Sequence, residues 1–485
     1  ILNNSSDNQD LPVGEYILKV TVERGSTTTF ATDTFYIYKP FWTPMRLRLV
    51  IIFASLIVLS VLGYYGYKKY KAYQLKKKRY LFPDYSQIPM QDEKHFWLGK
   101  VAETKKKAWY NPDDLTTHVL TAGSTGSGKS VSASIFVEEA LMHKIPVIVF
   151  DPTSQWTGFL KPCKDENLLK YYPKFGLEPK KDPRSFRGLI YNVKDPDIDI
   201  EFKKYMNPGE VTVFNLSFLK PGEYDQAVQK IIDSMFSIHW EESPELRLLV
   251  VFDEVHRLLE KYGGKGGYVA LEKACREFRK WGIGLIMASQ VNADFKEAVQ
   301  GNILTEVQLN TKSMEDIKKV KVKYGQEFSD RVTRQGIGVG MVQNPKYNNG
   351  KPWFVQFRPT FHSPHKIPED QLKLYTTYSS KLDDYEEMLK KSGLPSADKG
   401  DIELEMKLAR NKLKEGHFKM VKIYIDSLDS TLEELEKKRE KSNDEKKEKK
   451  KSKKSKSKKK HNKKKKKSKK KKKKTKSSKK KGKHK

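Results

Sequence analysis

Hydrophobic and polar positions alternate with a period of two near the start of the chain. Tyr16, Leu18 and Val20 alternate with residues that include the polar Lys19 and Thr21. A second β-rich run, FATDTFYIY, follows the turn-like sequence RGSTTT. This pattern predicts two β-strands. Because two strands cannot bury a core by themselves, we expect residues 1–40 to be the C-terminal part of a β-sandwich-like domain whose other strands precede Ile1. A short hairpin next to a membrane is the alternative.

The next segment contains no alternation at all. Residues 49–67 form a run of 19 residues without a charge. At a rise of 1.5 Å per residue, a helix of this length matches a hydrocarbon core about 30 Å thick. Trp42 and Tyr64 lie near its two ends, as aromatic residues do at membrane interfaces. The run therefore predicts a transmembrane helix, and a buried helix of a soluble domain is the alternative.

Charges flanking the apolar run predict its orientation. Three basic residues precede it and seven follow it: Lys39, Arg46 and Arg48, then Lys68, Lys69, Lys71, Lys76, Lys77, Lys78 and Arg79. Since cytoplasmic flanks carry the excess of Lys and Arg, we expect a single-pass protein of the cell membrane with its N-terminus outside. The β-rich segment would then be extracytoplasmic, and residues 68–95 would be a basic juxtamembrane linker in the cytoplasm.

Helical and strand patterns alternate in the remainder of the ordered sequence. From residue 96 to about residue 370, short β-branched runs alternate with amphipathic helices, which predicts an α/β domain with a mostly parallel sheet. Residues 400–440 contain two amphipathic helices separated by EGH, which predicts a helical hairpin. The segment 401–438 resembles small tetratricopeptide-like interaction pairs and would bind protein partners. A strut packed on the α/β domain is an equal alternative.

Composition changes this picture mainly at the C-terminus. The chain has 485 residues and a net charge of +34, but residues 441–485 hold 29 lysines and three acidic residues. The rest of the chain therefore carries only eight of the positive charges. The Lys-rich tail has no apolar residue to bury and is predicted to be disordered. Two cysteines, Cys163 and Cys275, exclude a disulfide framework.

The clearest chemical motif is GSTGSGKS, between a strand-like and a helix-like segment. It fits the phosphate-binding loop GxxxxGK[ST], in which glycines let backbone N–H groups converge on phosphate oxygens. Lys129 is expected to reach the β- and γ-phosphates, and Ser130 to bind Mg²⁺. The predicted nucleotide-binding residues, with none beyond Val131, are Gly123, Ser124, Thr125, Gly126, Ser127, Gly128, Lys129 and Ser130.

Polar residues end three further apolar strands. The strand in RLLVVFDEVHRLL ends at Asp253, predicted to hold Mg²⁺, and Glu254, predicted to polarise the attacking water. The strand GIGLIMASQ ends at Gln290, which would sense the γ-phosphate or cap a neighbouring element. The strand IPVIVFD ends at Asp151, which would support the site or merely begin a loop. The carboxyl ends of parallel strands meet at one edge, where ligands bind.

Together these segments resemble the HerA/FtsK family of P-loop ATPases, within the RecA-like class. The likeness extends over residues 97–359 and includes TAGSTGSGKS, VIVFDPTSQWTGF, LLVVFDEVHRLL and ACREFRKWGIGLIMASQ. It implies a RecA-like P-loop NTPase fold, ATP and Mg²⁺ as cofactors, and a homo-hexameric ring. The sequence departs from the family at Gln155, where HerA-like proteins often have an acidic residue.

The resemblance also implies an arginine that acts on the nucleotide of a neighbouring subunit. Arg276 and Arg279 lie in the region where the family has basic catalytic residues, and Arg257, Arg331 and Arg334 are competing candidates. An exposed charge on a helix is the alternative for each.

A β-domain, one membrane span and a HerA-like ATPase together resemble archaeal membrane-bound motors that move DNA. The sequence thus predicts a membrane-anchored DNA translocase, with residues 261–268 as candidate pore-loop material; a solvent-exposed loop is the alternative for that segment. A secretion or pilus-type ATPase with a protein cargo, and a membrane-tethered nucleotide switch, remain alternatives because one fold serves several functions. The Lys-rich tail would bind DNA or anionic lipid, or only increase solubility.

Overall fold

The computed structural model describes residues 12–38, 44–76, 79–198, 200–258, 266–290, 295, 297–391, 396–435 and 437. The chain divides into two units, Ile1–Lys78 and Arg79–Lys485. The Lys-rich tail at 441–485 and most of the candidate pore loop at 261–268 lie outside the described residues.

The first unit contains one hairpin and one long helix. Strands β1 (Gly14–Arg24) and β2 (Thr27–Ile37) pair in antiparallel register through a turn at Gly25, whose φ of 63° suits glycine. Among the described residues no third strand pairs with them. Apolar side chains of the hairpin are therefore exposed, and the β-sandwich stays a prediction.

Helix α1 (Pro44–Lys76) is longer than the predicted span at 49–67. Its stretch Pro44–Tyr70 is long and apolar enough to cross a membrane, with a mean hydropathy of 2.3 and no part of that stretch buried in the protein. The helix continues into the predicted linker at 68–95. The linker's second half belongs to the other unit, where Tyr80 and Ile88 are buried.

The second unit is built on one sheet of eleven strands. In chain order these are β3 (Phe96–Val101), β4 (Lys107–Tyr110), β5 (Val119–Ala122), β6 (Val147–Asp151), β7 (Gly188–Asn192), β8 (Val211–Asn215), β9 (Leu248–Phe252), β10 (Ile283–Ser289), β11 (Thr305–Gln308), β12 (Val339–Gln343) and β13 (Trp353–Phe357). Their order across the sheet is β4-β3-β13-β12-β11-β5-β10-β9-β6-β8-β7. The run from β11 to β7 is parallel, and the other strands are antiparallel. The predicted α/β class with a mostly parallel sheet is confirmed.

Helices cover both faces of this sheet. They are α2 (Lys129–Met142), α3 (Glu166–Leu169), α4 (Tyr172–Phe175), α5 (Pro221–Phe236), α6 (Gly266–Glu277), α7 (Glu297–Gln300), α8 (Met314–Tyr324), α9 (Gln326–Val332), α10 (Glu369–Lys391), α11 (Ser396–Lys414) and α12 (418–435). Residues of β9 alternate between the faces: Leu249 and Val251 pack with α2, whereas Leu248 and Val250 pack with α5 and α6. A strand buried on both sides explains the uninterrupted apolar sequence LLVVF.

The C-terminal helices pack on the sheet. The predicted hairpin corresponds to α11 and α12, and the sequence analysis did not predict the 23-residue α10. Lys161 Nζ donates to Gly416 O (2.8 Å), and Lys414 Nζ lies 2.7 Å from Glu210 Oε2. Apolar residues of all three helices join the core beneath α2. These are the contacts expected of a strut, and binding of protein partners through 401–438 stays a prediction.

Candidate nucleotide site

The predicted phosphate loop connects β5 to α2 near the middle of the sheet. Its glycines are required by close packing. A Cβ on Gly123 would lie 2.7 Å from Ser127 Oγ, and one on Gly128 would lie 3.3 Å from the backbone of Gly338. Gly126 and Gly128 have φ values of 78° and 99°, in the region that side chains disfavour. The loop conformation therefore follows from its glycine spacing.

Helix α2 begins directly after the loop at Lys129. The first N–H groups of a helix have no partner within it, and Ser132 N to Gly128 O, at 2.9 Å, closes the first turn. The loop is fixed from outside, because Ser124 N donates to Asn310 O (2.9 Å) and Gly338 N donates to Ser127 O (3.2 Å). Unpaired N–H groups and the positive end of the helix dipole together suit an anion such as a phosphate.

The lysine of the loop meets the predicted catalytic acid. Lys129 Nζ lies 2.7 Å from Glu254 Oε1, and both side chains are largely buried. Gln290 Nε2 donates to Glu254 Oε2 at 3.3 Å. Three residues predicted from separate strands and loops are therefore in one cluster. Glu254 has a φ of 48°, a left-handed conformation that costs a residue other than glycine about 1–3 kcal/mol.

A second acid, Asp253, is buried beneath this pair. Its Oδ2 accepts from Trp156 Nε1 (3.0 Å) and its Oδ1 accepts from Glu254 N (2.9 Å). Burial raises the pKa of Asp253, and the charge of Lys129 opposes that rise. The carboxylate is thus held in a fixed orientation at the carboxyl end of β9.

A third acid, Asp151, completes the cluster at the end of β6. It accepts hydrogen bonds from Thr153 N (2.8 Å), Thr153 Oγ1 (2.7 Å) and Trp156 N (2.8 Å). Burial and the neighbouring Asp253 raise the pKa of Asp151 to about 7. Of the two sequence interpretations, support of the site fits these contacts, because Trp156 links Asp151 to Asp253.

The cluster has more acidic than basic groups. It contains the three carboxyl groups of Asp151, Asp253 and Glu254. Lys129 pairs with Glu254 and its charge also acts on Asp253, and His256 Nδ1 lies 3.1 Å from Glu254 Oε2. Mg²⁺ prefers oxygen ligands and needs only one or two from the protein when it also binds phosphates. Asp253 and the hydroxyl of Ser130 are a donor set of this kind, so the residues present fit the predicted Mg²⁺. In the described part of the chain, no three His, Cys, Asp or Glu side chains group as a metal site.

A cavity of about 540 Å³ opens beside the loop. Residues 124–127 and Gln290 line one part of it, and residues that follow β11, beginning with Asn310, line another. Gln335 also lines this cavity, is 7% exposed, and has no hydrogen-bond partner at Oε1 among the described residues. The predicted binding residues from Ser124 to Ser127 therefore border a space that a ligand can enter.

Arg276 and Arg279 do not join the site of their own chain. Both are exposed, and Arg279 precedes β10, at the opposite edge of the sheet from Gln290. The charge of Arg279 instead acts on His118, at the start of β5. An arginine that serves a neighbouring subunit would also lie away from its own nucleotide site, so the role in a neighbouring subunit stays a prediction.

Sequence reasoning missed Trp156 and Asn310. The only sequence signal for Trp156 is its position five residues after Asp151, in the quoted segment DPTSQW. Gln155, the position that departs from the family pattern, is exposed next to it. Asn310 has no motif; it touches the phosphate loop because β11 lies beside β5 in the sheet. Tertiary contacts, not spacing, reveal both residues.

Comparison with known proteins agrees with the resemblance over part of the chain. Residues 96–181 match the family model DUF87, described as the central domain of helicase HerA. This segment includes the phosphate loop, α2 and Asp151. The predicted HerA/FtsK-like resemblance is therefore confirmed for this segment. None of the curated protein sequences matches the chain.

Solved structures share weaker likenesses. The genome packaging NTPase B204 of Sulfolobus turreted icosahedral virus 2, in complex with ATP-gammaS, is 17% identical, covering 51% of this chain and 100% of its own, with a TM-score of 0.32. VirB4 of Thermoanaerobacter pseudethanolicus is 12% identical, covering 56% and 98%, with a TM-score of 0.38. The pCW3 conjugation coupling protein TcpA is 16% identical, covering 61% and 74%, with a TM-score of 0.33. Likenesses with TM-scores this low carry no argument about function.

Proposed function

Taking the HerA match at residues 96–181 as the starting point, we propose that this protein is a membrane-anchored, ATP-hydrolysing motor that translocates DNA. In this proposal α1 crosses the membrane, the second unit lies in the cytoplasm, and six copies form a ring. The observation that carries the proposal is the cluster in which Lys129 and Glu254 are 2.7 Å apart, above Asp253 and beside Gln290.

The proposed roles follow from position in this cluster. Lys129 and the N–H groups of residues 126–130 bind the β- and γ-phosphates. Ser130 and Asp253 hold Mg²⁺, which offsets phosphate charge when bound. Glu254 turns from Lys129 toward a water molecule and accepts its proton. Gln290 follows β10 and contacts Glu254. In this proposal its side chain senses the γ-phosphate from that position.

Glu254→Gln tests the hydrolytic half of the proposal. The amide keeps the size of the side chain but cannot take a proton, so we expect ATP to bind and hydrolysis to fall about 10²–10⁴-fold. Retention of radiolabelled ATP and release of phosphate are measured on the same detergent-solubilised sample. Glu245→Gln, at an acidic residue before β9, is the matched control. A Glu254→Gln variant with normal turnover would contradict the assigned role.

DNA stimulation tests the other half. The Lys-rich tail would bind any polyanion, so ATP hydrolysis is measured on a chain that ends at residue 440, with duplex DNA, single-stranded DNA or neither. We expect duplex DNA to raise the rate several-fold. If neither form of DNA raises it, DNA is the wrong cargo. Slow turnover that no polymer changes would favour the tethered switch instead.

A further inference from the structure

A second cavity lies apart from the nucleotide cluster and is lined mainly by arginines. It has a volume of about 630 Å³ and is bordered by Arg79, Tyr80, Asp330, Arg331 and Arg334. Arg79 and Tyr80 begin the second unit, whereas the other three come from the end of α9 and the turn after it. Residues distant in sequence therefore bring three guanidinium groups to one cavity.

Two of the three arginines that border this cavity have no ion-pair partner in the described part of the chain. Arg331 Nη2 lies 2.8 Å from Glu327 Oε1, and its Nη1 donates to Glu327 O (2.9 Å). Asp330 Oδ1 accepts from Gln326 Nε2 at 2.6 Å. The side chains of Arg79 and Arg334 are exposed and have neither an ion pair nor a hydrogen bond in the described part of the chain. Two guanidinium groups are thus available to a ligand, and the carboxylate of Asp330 borders the same cavity.

Two other groups lie near these arginines. Glu103 is exposed, and its Oε2 accepts a hydrogen bond from the backbone N of Arg79 (2.9 Å). Arg331 Nε is buried without a partner among the described residues. Grouped arginine side chains of like charge repel one another unless an anion lies between them. Each guanidinium group presents planar N–H donors that suit the oxygens of a phosphate group, and three arginines border this cavity.

We propose that this cavity binds the phosphate of an anionic phospholipid headgroup. The proposal rests on the proposed membrane anchor. Arg79 is the last of the seven basic residues that follow the apolar run, three positions after the last residue of α1. Phosphates of the bilayer surface are the anions available to a chain at this point, and each basic residue near such a surface contributes measurably to binding.

One hydrogen bond connects a residue of this cavity, Tyr80, to the segment that contacts the phosphate loop. Tyr80 OH accepts from Gly336 N at 3.0 Å, and two residues later Gly338 N donates to Ser127 O. Asn310 Nδ2 donates to Gln335 O (3.2 Å), and Asn310 O holds Ser124 N. A headgroup bound by Arg79 and Arg334 would thereby steady residues 333–338 against the loop that binds ATP.

Lipid selectivity of the full chain tests the proposal. The protein is placed in nanodiscs of neutral phosphatidylcholine with a trace of spin-labelled phosphatidylglycerol, and the fraction of label immobilised by protein gives the relative affinity. We expect Arg334→Gln to weaken that affinity about fivefold and Arg79→Gln to do the same. Arg247→Gln removes the same charge from an exposed position before β9 and is expected to have no effect. Raising the salt concentration should shrink the differences.

Arg334 is the decisive position because it lies outside the basic run at 68–79. If Arg334→Gln binds the labelled lipid like the unmodified protein, the proposal is wrong. It is equally wrong if Arg334→Gln leaves lipid selectivity unchanged and weakens binding of duplex DNA, since the cavity would then bind DNA phosphates. Failure of the protein to co-elute with nanodiscs would refute the anchor itself, and with it this proposal. Unchanged selectivity in a co-eluting protein refutes the headgroup site alone.

Discussion

Two clusters of buried charged side chains adjoin α2, and they differ in how their carboxyl groups are paired. At its N-terminus, Lys129 pairs with Glu254, and Trp156 links the adjacent Asp253 to Asp151. Farther along, Glu138 and Glu139 pair with Arg358, whose side chain has no exposed surface. Glu138 also accepts from His362 N (3.0 Å) and from Phe361 N (2.6 Å).

The two clusters have opposite effects on their carboxyl groups. Burial opposes ionisation of Glu138, but Arg358 and His362 hold its pKa below the ordinary value. In the first cluster, burial and like charge raise the pKa of Asp151 and Asp253 instead. A buried charge is therefore no sign of function by itself. Carboxyl groups with raised pKa values beside an open cavity are the feature that favours a ligand site.

The largest effect is expected from removing the lysine of the first cluster. Lys129→Ala should lower ATP hydrolysis about 10²–10³-fold, because the ammonium group of Lys129 is the charge that the phosphate loop itself supplies to neutralise the phosphates. Phosphate release is measured under saturating ATP. Lys170→Ala, at an exposed lysine, is the matched control. Turnover within a few-fold of the unmodified protein would mean that this cluster is not the hydrolytic site.

Substitutions in the second cluster, around Arg358, should lower the stability of the fold and should not act through the hydrolytic step. Arg358→Met leaves Glu138 and Glu139 buried without their cation, which we expect to lower the free energy of unfolding by about 3–5 kcal/mol. Urea denaturation followed by tryptophan fluorescence measures it. The double variant Arg358→Met/Glu138→Gln should recover part of the loss. A single variant as stable as the unmodified protein would contradict the structural role.

A further test uses the pH dependence of stability. It concerns His118, a buried residue that directly precedes β5. Its Nε2 lies 2.9 Å from Cys275 O, and its Nδ1 accepts from Leu285 N (3.2 Å), so the ring is satisfied only when neutral. Burial, aided by the charge of Arg279, lowers the pKa of His118 from 6.5 to about 4. The unfolded chain therefore binds a proton before the folded one as the pH falls.

Neutral His118 therefore makes the free energy of unfolding highest above pH 6.5. As the pH falls from 6.5 to 4, that free energy should decline by about 3 kcal/mol in total. Urea unfolding at several pH values measures this slope. His118→Asn should flatten it, because asparagine does not titrate and tolerates the φ of 65° found there. A slope that survives this substitution would have to come from other groups.

The smallest effect should come from the hydroxyl of Tyr80. Tyr80→Phe keeps the packing on Phe354 (4.9 Å between ring centres) and loses only the bond from Gly336 N. One such bond contributes about 0.5–1.5 kcal/mol. We expect the KM for ATP to rise several-fold while kcat changes less, because residues 336–338 position the phosphate loop. Tyr324→Phe, in the same apolar cluster, is the control, and equal effects of both would refute a positioning role.

Much of the site could be predicted from the sequence, because its signals are local. The glycine spacing that ends at Lys129 is one short signal, and the acids that follow an apolar strand are another; each is readable within its own segment. Strand and helix periods likewise predicted the parallel sheet, and an uncharged apolar run predicted the long helix α1. Helix α10 was missed because its apolar stripe mixes tyrosines with many charges, as in its stretch DDYEEMLKK, and is buried only by tertiary packing, which includes a hydrogen bond from Ile190 N of β7 to Tyr375 OH (2.9 Å).

The sequence alone determined which chemical groups exist and the short segments that present them, since backbone propensity and side-chain period act over a few residues. Tertiary structure alone decided which groups meet. Lys129 and Glu254 are 125 residues apart, and β10 lies between their strands in the sheet. Trp156 and Asn310 reach the site for the same reason. Strand order and register are set by burial of the whole core, so no local pattern contains them.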